Sequence, residues 1–292
     1  MGTAQLGLSY GIANQSGQPT YDKAKEIIDT ACNLDIRCFD TARLYGTSEQ
    51  VLGKCLKNTN LSTNALVITK LPSNTFADEK TLFAYTDESL ASLQCAPIFA
   101  LLAHSPSVLT KAQAMQKLFR AIKESGKVLF TGISVYSPQE ALLALEIDHF
   151  DFIQLPLHAL DLRPVKAQLI TKAEKQNKML LFRSPFLQGL LLLNPENELP
   201  PQMEFARATL KKWWQACLDL AIAPKLAALQ IAKHMSGPFP LVIGAESASQ
   251  VKDNVALLNM ALPQLAELLS LTDSISESCP EHLLDPSSWP KL

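Results

Sequence analysis

The 292-residue chain has almost no net charge, since 26 lysines and arginines stand against 28 aspartates and glutamates and leave −2. Binding to nucleic acid or to an anionic membrane surface draws on a basic stripe, and the composition offers none. Long apolar runs are missing too. No stretch reaches the roughly 18 consecutive apolar residues of a membrane helix. The opening MGTAQLGLSYG has no charged segment leading into an apolar core, as a secretory leader would. Six cysteines, Cys32, Cys38, Cys55, Cys95, Cys217 and Cys279, form no CxxC and meet no histidine pair at metal spacing. Reduced, mostly buried thiols in a cytoplasmic protein are therefore expected. The GxGxxG turn that opens a dinucleotide-binding sheet is absent as well.

What the chain does have is a repeat of strand-length apolar runs, near residues 3–7, 36–40, 65–70, 98–103, 128–134, 151–155, 179–183 and 239–243. Amphipathic stretches lie between them, and Thr47 to Gln50, Ser137 to Glu140 and Ser247 to Gln250 fit capping boxes at helix starts. Alternating strands and helices imply a parallel sheet with right-handed crossovers. Runs such as ALVI and IFALL are apolar at every position, as strands covered on both faces must be. Eight such units without a GxGxxG turn predict a closed α/β architecture, a (β/α)8 TIM barrel, in one domain over residues 1–292. The segment from about 190 to 237 exceeds a plain crossover; Pro200 and Pro201 mark a break before a long helix, and a loop there is expected over the barrel mouth. From Ser274 the tail is expected to be irregular, with Trp289 packing it back on the body.

Three of these runs end in an ionisable residue: IRCFD in Asp40, ALVITK in Lys70 and IFALLAH in His104, with Tyr45 five residues after Asp40. In a closed barrel the C-terminal strand ends share one mouth, so these residues should converge. A carboxylate beside a buried lysine holds it charged, and a cation beside a phenol lowers the phenol's pKa toward working pH. Tyr45 would then donate a proton to a developing alkoxide, with His104 orienting the same oxygen. Taken alone, Asp40 reads as an N-cap or loop ligand and His104 as a satisfied rim residue. Lys70 alone reads as a rim lysine or as a Schiff-base amine of the aldolase kind, and Tyr45 tips the set toward carbonyl reduction. His158 and His234 read as ordinary, with His158 close to a cofactor because it follows Gln154. One of Trp213 and Trp214 reads as core and the other as a pocket wall, while Lys211 and Lys212 read as a solvated face.

The segment FDTARLYGTSEQVLG, with Asp40, Tyr45 and Glu49, then VITK ending in Lys70 and LLAH ending in His104, resembles the signature of the aldo-keto reductases. GTAQLGLSYG, GISVYSPQE, FIQLPLHAL, RSPFLQGLL and VIGAESASQVKDN are similar to that family in order and spacing, so the resemblance covers nearly the whole chain. It implies a barrel reductase that binds an extended nicotinamide dinucleotide and reduces an aldehyde or ketone, with Tyr45 as general acid, Lys70 and Asp40 tuning it, and His104 orienting the carbonyl. Ser134 and Gln154 match positions that bind the nicotinamide carboxamide. Ser184, Leu187 and Gly189 match the loop along the pyrophosphate, and Gly244, Ala245, Gln250 and Asn254 match the turn and helix start that hold the adenosine half.

Some positions depart from the pattern. Arg183 stands where an aromatic residue usually stacks on the nicotinamide, so a guanidinium plane is expected to cover that face. Val135 replaces an asparagine. Gly244 and Gln250 occupy positions that are often Lys and Arg gripping the 2′-phosphate of NADP, with Lys252 as a substitute charge or a solvated surface lysine. NADP(H) is favoured on family grounds, with NAD(H) as the alternative. By the resemblance, the hairpin that commonly plugs the barrel floor is expected to be missing or truncated in this sequence. The partner expected is a small-molecule carbonyl substrate, sugar-derived among the options, with no nucleic acid and no membrane, and the oligomeric state stays open. Two other functions compete: a Schiff-base lyase using Lys70, and a non-catalytic nucleotide binder that reports redox state to a partner protein.

Overall fold

The computed structural model describes residues 1–14, 16–59 and 64–290. Seven parallel strands stand side by side in chain order: β1 Cys38–Asp40, β2 Leu66–Leu71, β3 Ile98–Ala103, β4 Val128–Ser134, β5 Phe152–Pro156, β6 Met179–Arg183 and β7 Leu241–Val242. Helices fill the crossovers and flank the sheet: α1 Tyr21–Asn33, α2 Ser48–Leu56, α3 Glu79–Leu93, α4 Ala112–Glu124, α5 Pro138–Leu145, α6 Leu169–Lys175, α7 Arg207–Asp219, α8 Pro224–Ser236, α9 Ala248–Asn259 and α10 Leu265–Glu277.

The run expected as a first strand over residues 3–7 is instead a helical turn, Ala4–Gly7. Only the three residues before it act as a stave. Gly2 N donates to Ile243 O at 2.9 Å, beyond β7, while Asp40 N donates to Met1 O at 2.8 Å and Thr3 N to Asp40 O at 2.9 Å. Gly2 thus bridges β1 in parallel register and completes a (β/α)8 barrel. The turn wins over strand pairing because it seats Gly7 against the loop after β1, where a Cβ would lie 1.8 Å from Tyr45 O. It also drops Leu6 into the core.

Ile68, Ala100, Leu102, Phe152, Leu181 and Val242 form a small apolar cluster of their own, separate from the large core between strands and helices. Side chains two apart on a strand share a face. The next places on that face are Lys70 after Ile68, His104 after Leu102, Gln154 after Phe152 and Arg183 after Leu181. Asp40 and Ser134 follow Cys38 and Gly132 in the same way. The barrel interior is therefore apolar below and polar at its C-terminal mouth. Near the opposite end, Phe99 meets Phe130 and Phe152 edge to face, with ring centroids 5.2 and 5.8 Å apart.

Local signals fare unequally. Ser137 and Glu140 form the full capping box of α5, and Ser247 accepts from Gln250 N at the start of α9. Thr47 stands at the N-cap of α2 without a side-chain cap bond; its hydroxyl accepts from Gln18 Nε2 at 2.9 Å instead, and Ser48, the first residue of α2, donates its Oγ hydrogen to Thr3 O. The long helix expected after Pro201 is two, α7 and α8, split at Ala221, which has a positive φ, and Pro224. Helix α10 continues past Ser274 to Glu277, because Leu268, Thr272 and Ile275 keep a buried face at helical spacing. Trp289 does pack back, its Nε1 donating to Leu283 O at 3.2 Å; residues 291–292 of that tail lie outside the described residues. All six cysteines are free. Among the described residues no helix is long and apolar enough to cross a membrane, and no His, Cys, Asp and Glu group could hold a metal ion.

Candidate active site

Lys70 is completely buried at the end of β2. Its three N–H donors are all used: Nζ lies 2.8 Å from both Asp40 Oδ1 and Oδ2, and 2.7 Å from Thr41 O. Burial pulls its pKa down, and the Asp40 carboxylate opposes that pull. Gln154 Nε2 donates to Asp40 Oδ1 at 2.8 Å. A carboxylate only accepts, so the Gln154 amide must face Asp40 with its nitrogen; Oε1 is left buried without a partner.

Tyr45 sits on the loop after β1. That loop follows β2 through Thr41 N to Ile68 O and Arg43 N to Lys70 O. Gly46, at φ +56°, lets it turn where a Cβ would meet Gly7 O at 2.3 Å. Behind it, buried Glu49 accepts from Thr69 Oγ1 at 2.7 Å and meets Arg43, which also pairs with Glu88. The Tyr45 ring centroid lies 5.1 Å from Lys70 Nζ and 5.5 Å from the His104 ring, edge to face.

The tetrad expected from the strand ends is thus assembled, but its electrostatics differ from the expectation. The Tyr45 phenol is pushed up, first by burial and then by the Asp40 charge; Arg183 is the cation that pulls it down. Lys70 has its charge matched by Asp40. His104 is pushed down to about 3 by burial, then by Lys70 and Arg183, which makes it a neutral imidazole at working pH; its Nδ1 is buried without a partner.

A cavity of about 290 Å³ opens above this cluster. Asp40, Tyr45 and Arg183, the reaction end, line it together with Ser184 and Gly189 of the loop after β6 and with Gly244, Ala245, Gln250 and Asn254 of the turn and helix after β7, the nucleotide end. Ser134 and Gln154 are buried at the strand ends and Leu187 is buried beneath its loop; none of the three lines the cavity wall. The Arg183 guanidinium stacks 5.1 Å from the Tyr136 ring centroid and donates to Val135 O at 3.3 Å. Between β6 and Leu190 the loop is strained: Ser184, Leu187, Gln188 and Gly189 all have positive φ, and such backbone clusters at ligand sites. Gly189 cannot be replaced cheaply, since a Cβ would approach Ala13 Cβ to 2.7 Å. Asn254 is only 6% exposed, yet its Oδ1 has no partner.

The sequence reading passed over Tyr10, Lys225 and Glu246, which also line the cavity. Glu246 lay between two chosen residues, Ala245 and Gln250, directly before the N-cap Ser247, a place where an acid is easily dismissed as helix capping. Tyr10 and Lys225 carry no local signal, because segments remote in sequence bring them there. His158 is buried with both ring nitrogens unpartnered and away from the cavity wall, and His234 is exposed. Trp213 is core, its Nε1 donating to Leu191 O at 3.0 Å, and Trp214 packs half-buried against the same core instead of lining the cavity. Lys252 is exposed.

Residues 1–268 match the model of the aldo/keto reductase family. A Schizosaccharomyces pombe protein named for a potassium channel beta subunit is 30% identical over 146 residues, 46% of this chain and 41% of its own. An aldo-keto reductase of Strobilurus tenacellus is 26% identical over 204 residues, 65% of this chain and 57% of its own. The chain therefore aligns with about half the length of these two relatives. The solved holo form of an aldo-keto reductase from Bacillus halodurans superposes with a TM-score of 0.75 at 21% identity, over 98% of this chain and 94% of that one. With a family match over 268 of its 292 residues, the chain belongs to the aldo/keto reductase family.

Proposed function

We propose that this protein is an NAD(P)H-dependent oxidoreductase that reduces a small aldehyde or ketone to the alcohol, with Tyr45 as proton donor. The observation that carries the reading is the buried Lys70 ammonium, held by both Asp40 oxygens and set 5.1 Å from the Tyr45 ring. Two buried amide oxygens without partners, on Gln154 and Asn254, support a dinucleotide there, since such a molecule carries a carboxamide at one end and an exocyclic amine at the other. Ser134 and Gln154 would hold the carboxamide, Arg183 the ring face, Ser184, Leu187 and Gly189 the pyrophosphate, and Gly244, Ala245, Gln250 and Asn254 the adenosine half. The α9 N-terminus adds free N–H groups. When bound, the dinucleotide supplies the hydride.

The chain's own residues handle the proton. Burial and Asp40 keep Tyr45 protonated at working pH, so its Oη holds a proton ready for the carbonyl oxygen as negative charge develops there. Arg183 is the cation that lowers the cost of the phenolate left behind, while Lys70 holds Asp40 beside the ring. Neutral His104 offers an N–H to the same oxygen and does not compete as an acid. The lyase alternative needs a lysine with a free lone pair; Lys70 has all three donors committed, and borohydride should trap no substrate on it. The non-catalytic alternative gives no role to a proton donor in this position.

The test is titration of nicotinamide fluorescence, followed by turnover on a panel of small aldehydes and ketones. Binding with carbonyl-dependent consumption of the reduced cofactor is expected. Folded protein that binds neither cofactor overturns the reading.

A further inference from the structure

We infer that Glu246 makes the nucleotide end of the cavity select NADH over NADPH. The inference rests on the cavity being a dinucleotide site. Two independent features mark this end as built for a ligand: α9, 12 residues long, starts here with its free N–H groups, and Asn254 nearly two turns on keeps a buried amide oxygen unpartnered.

Glu246 supplies this end with a negative charge of its own. It lines the cavity directly before the α9 N-cap, and among the described residues no lysine or arginine pairs with it. Gln250 does not supply the charge that family relatives often place there; its Oε1 is tied to Glu246 N at 2.8 Å. Lys225 also lines the cavity, but burial pulls its pKa down and weakens its hold on the proton, with the Asp253 charge only opposing that pull. Arg183 stacks on Tyr136 and donates to Val135 O.

NADH and NADPH differ in one group, a ribose 2′-hydroxyl against a 2′-phosphate, so selection between them is a local difference. A hydroxyl can donate to a carboxylate, and a charge-assisted bond of that kind is among the stronger ones. An acid that bonds the 2′-hydroxyl is also how dinucleotide folds of another architecture mark NAD. A phosphate has no proton to give and brings a second negative charge into a half-buried place. Like charges set side by side in such a site repel strongly. The family-based preference for NADP(H) is thereby reversed for this chain.

The test is titration of the intact protein with NADH and with NADPH, read by tryptophan quenching and nicotinamide emission, for the parent, Glu246→Gln and Glu246→Arg. The parent should bind NADH at least about tenfold more tightly. Glu246→Gln, nearly isosteric, should bring the two affinities close to parity, and Glu246→Arg should favour NADPH. Parent protein that binds NADPH as tightly as NADH overturns the inference, and so does a ratio that neither substitution moves. In both cases dinucleotide binding survives and the proposed function stands. Folded parent that binds neither removes the proposed function and this inference together.

Discussion

At the reaction end of the cavity Lys70 uses all three donors on Asp40 and Thr41, and Asp40 also accepts from Gln154. At the nucleotide end Asn254 keeps an amide oxygen without a partner, and among the described residues Glu246 forms no ion pair. Both ends are set by the barrel, yet they are finished differently. A charge buried among fixed partners needs no rearrangement when new charge develops beside it, which is how preorganised sites stabilise a transition state. A buried polar atom left open gains its partner only when a ligand arrives, and the gain appears as affinity. The contrast is between the closed Lys70–Asp40 pair and the open amide oxygens, one of which, Gln154 Oε1, stands right beside that pair while the other belongs to Asn254.

The sharpest break of that contrast is Tyr45→Phe. It should lower turnover by about 10² to 10⁴ and leave dinucleotide affinity unchanged, as steady-state rates and fluorescence titration would report. Normal turnover would remove Tyr45 from the chemistry. Lys70→Met comes next. Removing one member of a buried pair leaves the other charge stranded, at a cost of about 3–5 kcal/mol, to be read from the denaturant midpoint. Combining it with Asp40→Asn should restore much of the stability and none of the activity. A single variant as stable as the parent would mean that Asp40 is not held by Lys70.

Why the reaction end was legible in the sequence, and the nucleotide end only through a family likeness, follows from the same difference. Asp40, Lys70 and His104 each end an apolar strand run, and strand ends of a closed barrel share a mouth; period two then aims them inward. Arg183 obeys the same rule after Leu181. The nucleotide end is assembled from a turn, a helix start and segments far apart in sequence, so Lys225 and Glu246 carried no pattern; Tyr10, which reaches the Tyr45 and Arg183 group, comes from a segment equally remote. The barrel itself was readable in seven of its strands. The eighth stave was misplaced because three residues, Met1 to Thr3, suffice to close the gap between β7 and β1, fewer than any apolar run can signal. The direction of the Tyr45 shift was misread for a physical reason: a lysine neutralised by two carboxylate oxygens has little charge to spare for a phenol, and burial dominates.

Acidification should sharpen the comparison further. His104 lies at the reaction end with its pKa pushed down to about 3, while His149 and His158, remote from the cavity wall, are pushed down to about 4; burial is the first cause for all three. Above the ordinary value of about 6.5 these residues are neutral in both folded and unfolded chains. Below it the unfolded chain takes up protons that the folded one refuses, so stability is lost as pH falls from about 6.5 toward 4. Replacing fully buried His158 by Leu should flatten the fall in denaturation midpoint, by at most about 1.4 kcal/mol per pH unit. An unchanged slope would mean that His158 is protonated in the fold. Turnover should show no ionisation near 6.5 from His104.

The smallest effect is expected at Asn254. Asn254 Oδ1 makes no hydrogen bond within the chain, so Asn254→Ala removes no internal partner and relieves a buried group of its unmet demand. The lost packing volume offsets part of that relief, and the melting temperature should scarcely move. Affinity for NADH and NADPH alike should fall about tenfold, the scale of one hydrogen bond to a buried amide, with kcat preserved at saturating cofactor. The opposite pairing, lower stability with unchanged affinity, would make Asn254 a structural member of α9 and leave Glu246 and the helix start alone to hold the adenosine half.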